Sequence, residues 1–129
     1  MKISIYKNFI EECFKEIIMN YKLNLKQIND YIIKLENSRI EILIFTEFRD
    51  DDVISITLTN LQKKEFYTLF DIAQRKSILS YLKDDEKQKS IDFKDKIKSG
   101  VFADSIFIKN HCQDLLNGDF SSIGKGNPL

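Results

Sequence analysis

Three groups of side chains in this sequence are of types that carry chemistry: runs of acids, a histidine beside a cysteine, and glycines around a lysine. The first is "TEFRDDDVIS", residues 46–55, in which Asp50, Asp51 and Asp52 stand between two apolar runs. Carboxylate oxygens are what hard divalent cations require, but neighbouring turn or strand residues point apart, and the spacing and glycine of a calcium loop are missing. Carboxylates that work as an acid and base pair must face one another across a cleft, which sequence neighbours rarely do. A second cluster, Asp84, Asp85 and Glu86 in "KDDEKQK" at 83–89, is surrounded by lysines and reads as self-neutralising surface charge.

His111 is the only histidine, and Cys112 follows it. Consecutive helical residues project about 100° apart, so the imidazole is badly placed to act as base for that thiol. The other thiol, Cys13, lies in the middle of an amphipathic stripe, where inert burial is expected. Gly118, Gly124 and Gly126 flank Lys125, but Asn127 stands where a phosphate loop needs Ser or Thr. The residues therefore predict no catalytic group, no metal and no cofactor. The Asp triplet reads as a polar turn, with a docking surface for a basic partner as its additional role.

Composition narrows the classes further. Twenty basic and twenty acidic side chains cancel, leaving no global field to attract nucleic acid or an anionic membrane. Glu36, Glu41, Glu47 and the Asp triplet would repel phosphates from the aromatics of the middle strands. Two cysteines without CxxC spacing are expected to be buried and reduced. Charges at 2, 7, 11 and 12 interrupt the opening "MKISIYKNFIEEC", and no apolar run reaches a membrane span, so a cytoplasmic protein is expected.

The elements that must position these residues follow from periodicity. Phe9, Ile10, Cys13, Phe14, Ile17, Ile18 and Tyr21 recur at three- and four-residue spacing and predict an amphipathic helix over 5–21. After a polar connection, "YIIKLE" at 31–36 puts Tyr31, Ile33 and Leu35 on one side of a strand. "RIEILIFTEF" alternates Ile40, Ile42 and Ile44 against Glu41, Leu43, Phe45 and Glu47, and "VISITLTN" alternates Ile54, Ile56 and Leu58 against Val53, Ser55, Thr57 and Thr59. These runs predict an antiparallel meander with residues 49–52 as one of its turns. Leu43 and Phe45 lie opposite the isoleucine face, so either both sheet faces are covered or that side is sticky.

Helical spacing returns in "KKEFYTLFDIAQ" (63–74) through Phe66, Leu69, Phe70 and Ala73, with "SILSYL" extending it or beginning another helix. A charged stretch, 83–100, is punctuated only by Ile91, Phe93 and Ile97 and reads as a surface helix or mobile segment. Val101, Ser105, Ile108, Cys112 and Leu115 share a stripe of a further helix that Gly118 stops. The expectation is one α+β domain over 1–120, its N-terminal helix packed on a three- to four-stranded antiparallel meander and its C-terminal helices closing the core, with 121–129 as a loose tail.

The order of an N-terminal helix, strands joined at "EFRDDD", a helix opening in "FYTLFDI" and a closing "DLLNGDFSSI" resembles the small bacterial immunity proteins of polymorphic toxin systems. The resemblance spans most of the chain and departs most over 76–100. It implies a cytoplasmic protein that binds and blocks a cognate toxin domain, of basic, nuclease type if the acids form the contact. On that expectation Leu43, Phe45, Glu47, Asp50, Asp51 and Asp52 are the candidate partner-binding residues. The alternative is a homo-oligomerising adaptor that pairs with its own copies through the same face or a strand edge.

Overall fold

The computed structural model describes residues 2–47, 50–83 and 95–129, without the side chains of 47, 50–52, 82 and 83. A single turn of 3₁₀ helix, Ile3–Tyr6, leads into α1, Lys7–Tyr21. Ile10, Phe14 and Ile17 of α1 are buried and its charged residues face outward, as the spacing predicts. Lys22 ends the helix in the left-handed conformation, φ 52°, and returns its amide to the Ile18 carbonyl.

Six strands form one antiparallel sheet in chain order: β1 (Asn24–Asn29), β2 (Ile32–Glu36), β3 (Ile40–Glu47), β4 (Asp50–Asn60), β5 (Glu65–Thr68) and β6 (Asn127–Pro128). Between β5 and β6 the chain makes α2 (Leu69–Arg75), α3 (Leu79–Lys83), α4 (Lys96–His111) and α5 (Gln113–Leu116). Ile33, Leu35, Ile40, Ile42, Ile44, Ile56, Leu58 and Tyr67 point to one face and are all buried. There they join the inward residues of α1, α2, α4 and α5 in one core. The α4 stripe read from the sequence is buried at every position, from Val101 through Ser105, Ile108 and Cys112 to Leu115.

The α+β class and antiparallel sheet agree with the periodicity, while the strand count exceeds the expected three to four. β1 was hidden because "NLKQIN" has few apolar or β-branched residues. As an edge strand it is fixed chiefly by its ladder to β2, from Asn24 opposite Glu36 to Asn29 opposite Ile32. The helical spacing of 63–74 predicts a helix where the structure places β5 followed by α2. Thr68 separates the two: its side chain accepts from the Asp71 amide, the Asp71 carboxylate accepts from the Thr68 amide, and the helix begins only after this capping box. Lys64, at φ 55°, turns the chain so that Glu65–Thr68 pairs with β4.

Two further expectations need correction. Glu47 pairs with Asp50, so Asp50–Asp52 open β4 and do not form the turn; residues 48 and 49 between them lie outside the described residues. The segment 121–129 is docked and not loose, because Ile123 is buried and β6 adds to the edge of β5. Asp84, Asp85, Glu86, Ile91 and Phe93 lie outside the described residues, while Ile97 belongs to α4.

The capping box gives the fold a direct check. Thr68→Ala removes the acceptor for the Asp71 amide and is expected to lower stability by about 1 kcal/mol in denaturant unfolding. Thr68→Ser, which keeps the hydroxyl, is expected to recover most of that loss.

Candidate functional site

The groups capable of covalent chemistry are separated by their surroundings. Cys112 is fully buried where α4 ends, and burial pushes its thiol up to about 12, with Lys76 drawing it partly back and Asp114 adding to the rise. Cys13 is half-buried in α1, and its thiol is likewise raised, first by burial and then by the Glu12 carboxylate. Both thiols are therefore protonated at neutral pH, the less nucleophilic form. His111 is exposed, with its ring 5.3 Å from that of Phe107 and its backbone carbonyl accepting from Lys76 Nζ at 2.7 Å. Among the described residues no group of three His, Cys, Asp or Glu side chains is placed to hold a metal ion.

Asp114 sits in a polar cluster whose role is structural. Burial raises its pKa, but hydrogen bonds from Lys76, Ser122 and the Leu115 amide outweigh that and hold it below the usual carboxylate range. Lys76 Nζ and Ser122 Oγ each approach a carboxylate oxygen to 2.7 Å, tying the end of α2 to α5 and the closing segment.

Among the described residues, the other face of the sheet carries apolar side chains that are less buried than those on the isoleucine face. Cross-strand neighbours set its rows: Ile32, Phe45 and Ser55; Lys34, Leu43 and Thr57; Glu36, Glu41 and Thr59. Ile32, Leu43 and Phe45 are half-buried, where their inward neighbours Ile33, Ile42 and Ile44 are fully buried. Val53 is 41% exposed on β4, beside this apolar strip. Lys34 Nζ lies 3.9 Å from Glu36 and 3.6 Å from Glu41, which offsets the repulsion of two glutamates directly opposite one another.

The structure thus places Leu43 and Phe45 together on the less buried face of the sheet. The backbone places Glu47 and Asp50 as partners at the end of the same β3–β4 hairpin, and Asp51 and Asp52 follow in β4. The side chains of these four acids lie outside the described residues. Ile32 and Lys34, absent from the candidates the sequence offers, belong to the same surface. The signal was present, since both alternate with the buried Ile33 and Leu35.

No helix among the described residues is long and apolar enough to cross a membrane. Comparison with known proteins finds no matching family model, no matching curated protein and no matching solved structure.

One titratable group stands out on α4. Asp104 is half-buried, and burial pushes its carboxyl up to about 7, opposed by a hydrogen bond from the Tyr81 hydroxyl at 3.3 Å. A carboxyl that keeps its proton to about 7 when folded, but releases it near the ordinary 3.8 when unfolded, makes the folded chain bind more protons between those values. Its contribution to stability is therefore full below 3.8 and is lost as pH rises towards 7. Asp104→Asn, which can still accept from Tyr81, is expected to flatten that slope and to exceed the parent's stability near pH 8 by about 2 kcal/mol. That figure is discounted for partial solvent access from the roughly 4 kcal/mol of the full shift. Urea unfolding at roughly pH 5 and pH 8 measures it.

Proposed function

We propose that this chain is a protein-binding domain without catalytic activity of its own, an immunity-type protein that neutralises a cognate bacterial toxin domain in the cytoplasm. The observation that carries the reading is the outer sheet face, where among the described residues Ile32, Leu43 and Phe45 remain half-buried and Val53 exposed. Apolar side chains on a rigid sheet supply the desolvated centre of an interface, and the polar rows beside them supply its rim. Glu47 and Asp50–Asp52, at the end of the β3–β4 hairpin, add local negative charge on a chain of zero net charge. Such charge accelerates encounter with a basic partner of nuclease type. The resemblance of "EFRDDD", "FYTLFDI" and "DLLNGDFSSI" to immunity proteins favours a toxin as that partner.

A second reading is favoured by one feature of the same face. Lys26 and Lys34 occupy adjacent strands beside the rows of Glu36 and Glu41, so the face carries both signs and could match a second copy of itself. Sedimentation of the pure protein separates the two, because a tight homodimer that Leu43→Arg dissociates belongs to the adaptor.

The toxin reading is tested in the native host. Wild-type protein is used to capture its partner, which is then expressed alone and together with this chain. The partner is expected to arrest growth alone, and co-expression is expected to restore it. Leu43→Arg or Phe45→Arg should weaken binding by at least tenfold while leaving the fold intact, and rescue should fail. Reversing Asp50, Asp51 and Asp52 together to Lys should slow association at low salt more than it speeds dissociation. A harmless captured partner, or binding indifferent to all these changes, would sink the proposal.

A further inference from the structure

The outer edge of β5 already holds an extended chain, and it does so mainly with groups outside that chain. Residues 119–129 leave α5 through Gly118, at φ 87°, and return along the edge. Two apolar anchors are buried: Phe120, stacked on Tyr67 with ring centroids 5.4 Å apart, and Ile123. Between and beyond them the backbone is read directly. The Arg75 guanidinium donates to the carbonyls of Ile123, at 3.0 Å, and Lys125, while the Tyr67 hydroxyl donates to that of Gly124 at 2.5 Å. Glu65 and Phe66 then pair with Pro128 and Asn127, and the Leu129 amide donates to Lys64 at 3.2 Å.

Side-chain demands are as definite. A Cβ on residue 126 would stand 2.7 Å from a Tyr67 ring carbon and 2.9 Å from the Phe66 carbonyl oxygen, so only glycine lets the strand approach. The Asn127 amide donates to the Phe66 carbonyl at 3.3 Å and to the Asp71 carboxylate at 3.1 Å. The segment also stands off the β4–β5 turn across an open cleft of about 530 Å³, with Asn60, Gln62 and Lys63 on one side and Asp119, Ser121 and Lys125 on the other. It is held by the β5 edge, Tyr67, Arg75, Asp71 and the Asp114 cluster, and by the burial of Phe120 and Ile123 in the core. These are the elements of strand-addition peptide recognition, in which main-chain bonds give affinity and pockets for alternate side chains give specificity.

We propose that the outer edge of β5 is a peptide-binding site. Its ligand is an extended segment of the pattern Phe-x-x-Ile-x-x-Gly-Asn, supplied here by residues 120–127 of the same chain and exchangeable for the same segment of a second copy. Tethering gives the chain's own segment an effective concentration in the millimolar range, so it holds the site at ordinary protein concentrations. Displacing it leaves the β5 edge and the Tyr67–Arg75 pair available to a segment in trans. This site lies on the β5 edge and does not depend on what binds the outer sheet face.

The probe is a fluorescent synthetic peptide of residues 119–129, standing for the second copy's segment. Full-length Gly126→Val cannot seat its own strand and is expected to bind the peptide saturably in an anisotropy titration. Wild type, its site filled, is expected to bind at least tenfold more weakly. A peptide carrying Gly126→Val is expected to bind neither protein. A folded variant that ignores the parent peptide, or a wild type that binds it equally well, overturns the proposal. Should the variant not fold, hydrogen exchange on wild type decides. The amides of 119–129 are expected to exchange at least tenfold faster than those of β3 and β4, through local release. Exchange of the segment only together with the core also overturns it.

Discussion

The fold rests on a sheet that has one continuous, buried apolar face, while the other face mixes a half-buried apolar strip with charged and hydroxyl residues. Alternation fixes Ile40, Ile42 and Ile44 in β3 and Ile54, Ile56 and Leu58 in β4 to the same side, and the registers between β2, β3 and β4 line them up across strands. A slip of one residue would turn that entire set to the solvent and expose the charged and hydroxyl residues to the core, so the register is strongly specified. Burying a side chain of this size from water contributes roughly 1.5–3 kcal/mol, and no polar contact on the outer face offers a comparable term. The helices consequently collect on the isoleucine face, where α2 and α4 lie against β4 and α1 lies against α4.

One-sided burial has a consequence at each boundary of the sheet. On the far face, Ile32, Leu43 and Phe45 lie in rows with their cross-strand neighbours and are only half-buried. At the β5 edge the chain supplies its own cover. Arg75 and Lys76, successive residues where α2 ends, both reach into the last part of the chain, one to backbone carbonyls and the other to Asp114 and the His111 carbonyl. Positive charge at a helix C-terminus is favourable in its own right, so the same side chains stabilise α2 and fasten the segment that follows α5. At the β1 edge, Lys26 and the irregular register between Gln27 and Asn29 are features that discourage strand pairing.

The two cysteines show how context governs reactivity. His111 and Cys112 are adjacent in sequence, yet one is in water and the other in the core. Asp104, by contrast, has no distinguishing local pattern in the sequence, and its raised pKa comes from burial, opposed by the hydrogen bond from Tyr81, to which it is linked across 23 positions. Sequence neighbours gave misleading chemical pairs, and the pair that matters for titration is made by packing.

What the sequence determined by itself was everything that depends on a repeat. The 3.6-residue stripe of α1, the buried positions of α4 and the two-residue alternation of β2, β3 and β4 are written in local spacing, and so is the placement of Leu43 and Phe45 opposite the core. Tertiary structure alone decided the parts whose stability is supplied by a distant partner. β1 is a strand because β2 offers it a ladder, β5 because β4 does, and Asp50–Asp52 enter β4 because Glu47 pairs with Asp50. "SSIGKGNPL" has the glycines, serines and proline of a loose tail, and only the edge of β5, the Tyr67 ring and the Arg75 guanidinium turn it into a bound strand. Periodicity is local and can be read along a chain, whereas hydrogen bonds offered by residues tens of positions away leave no local trace.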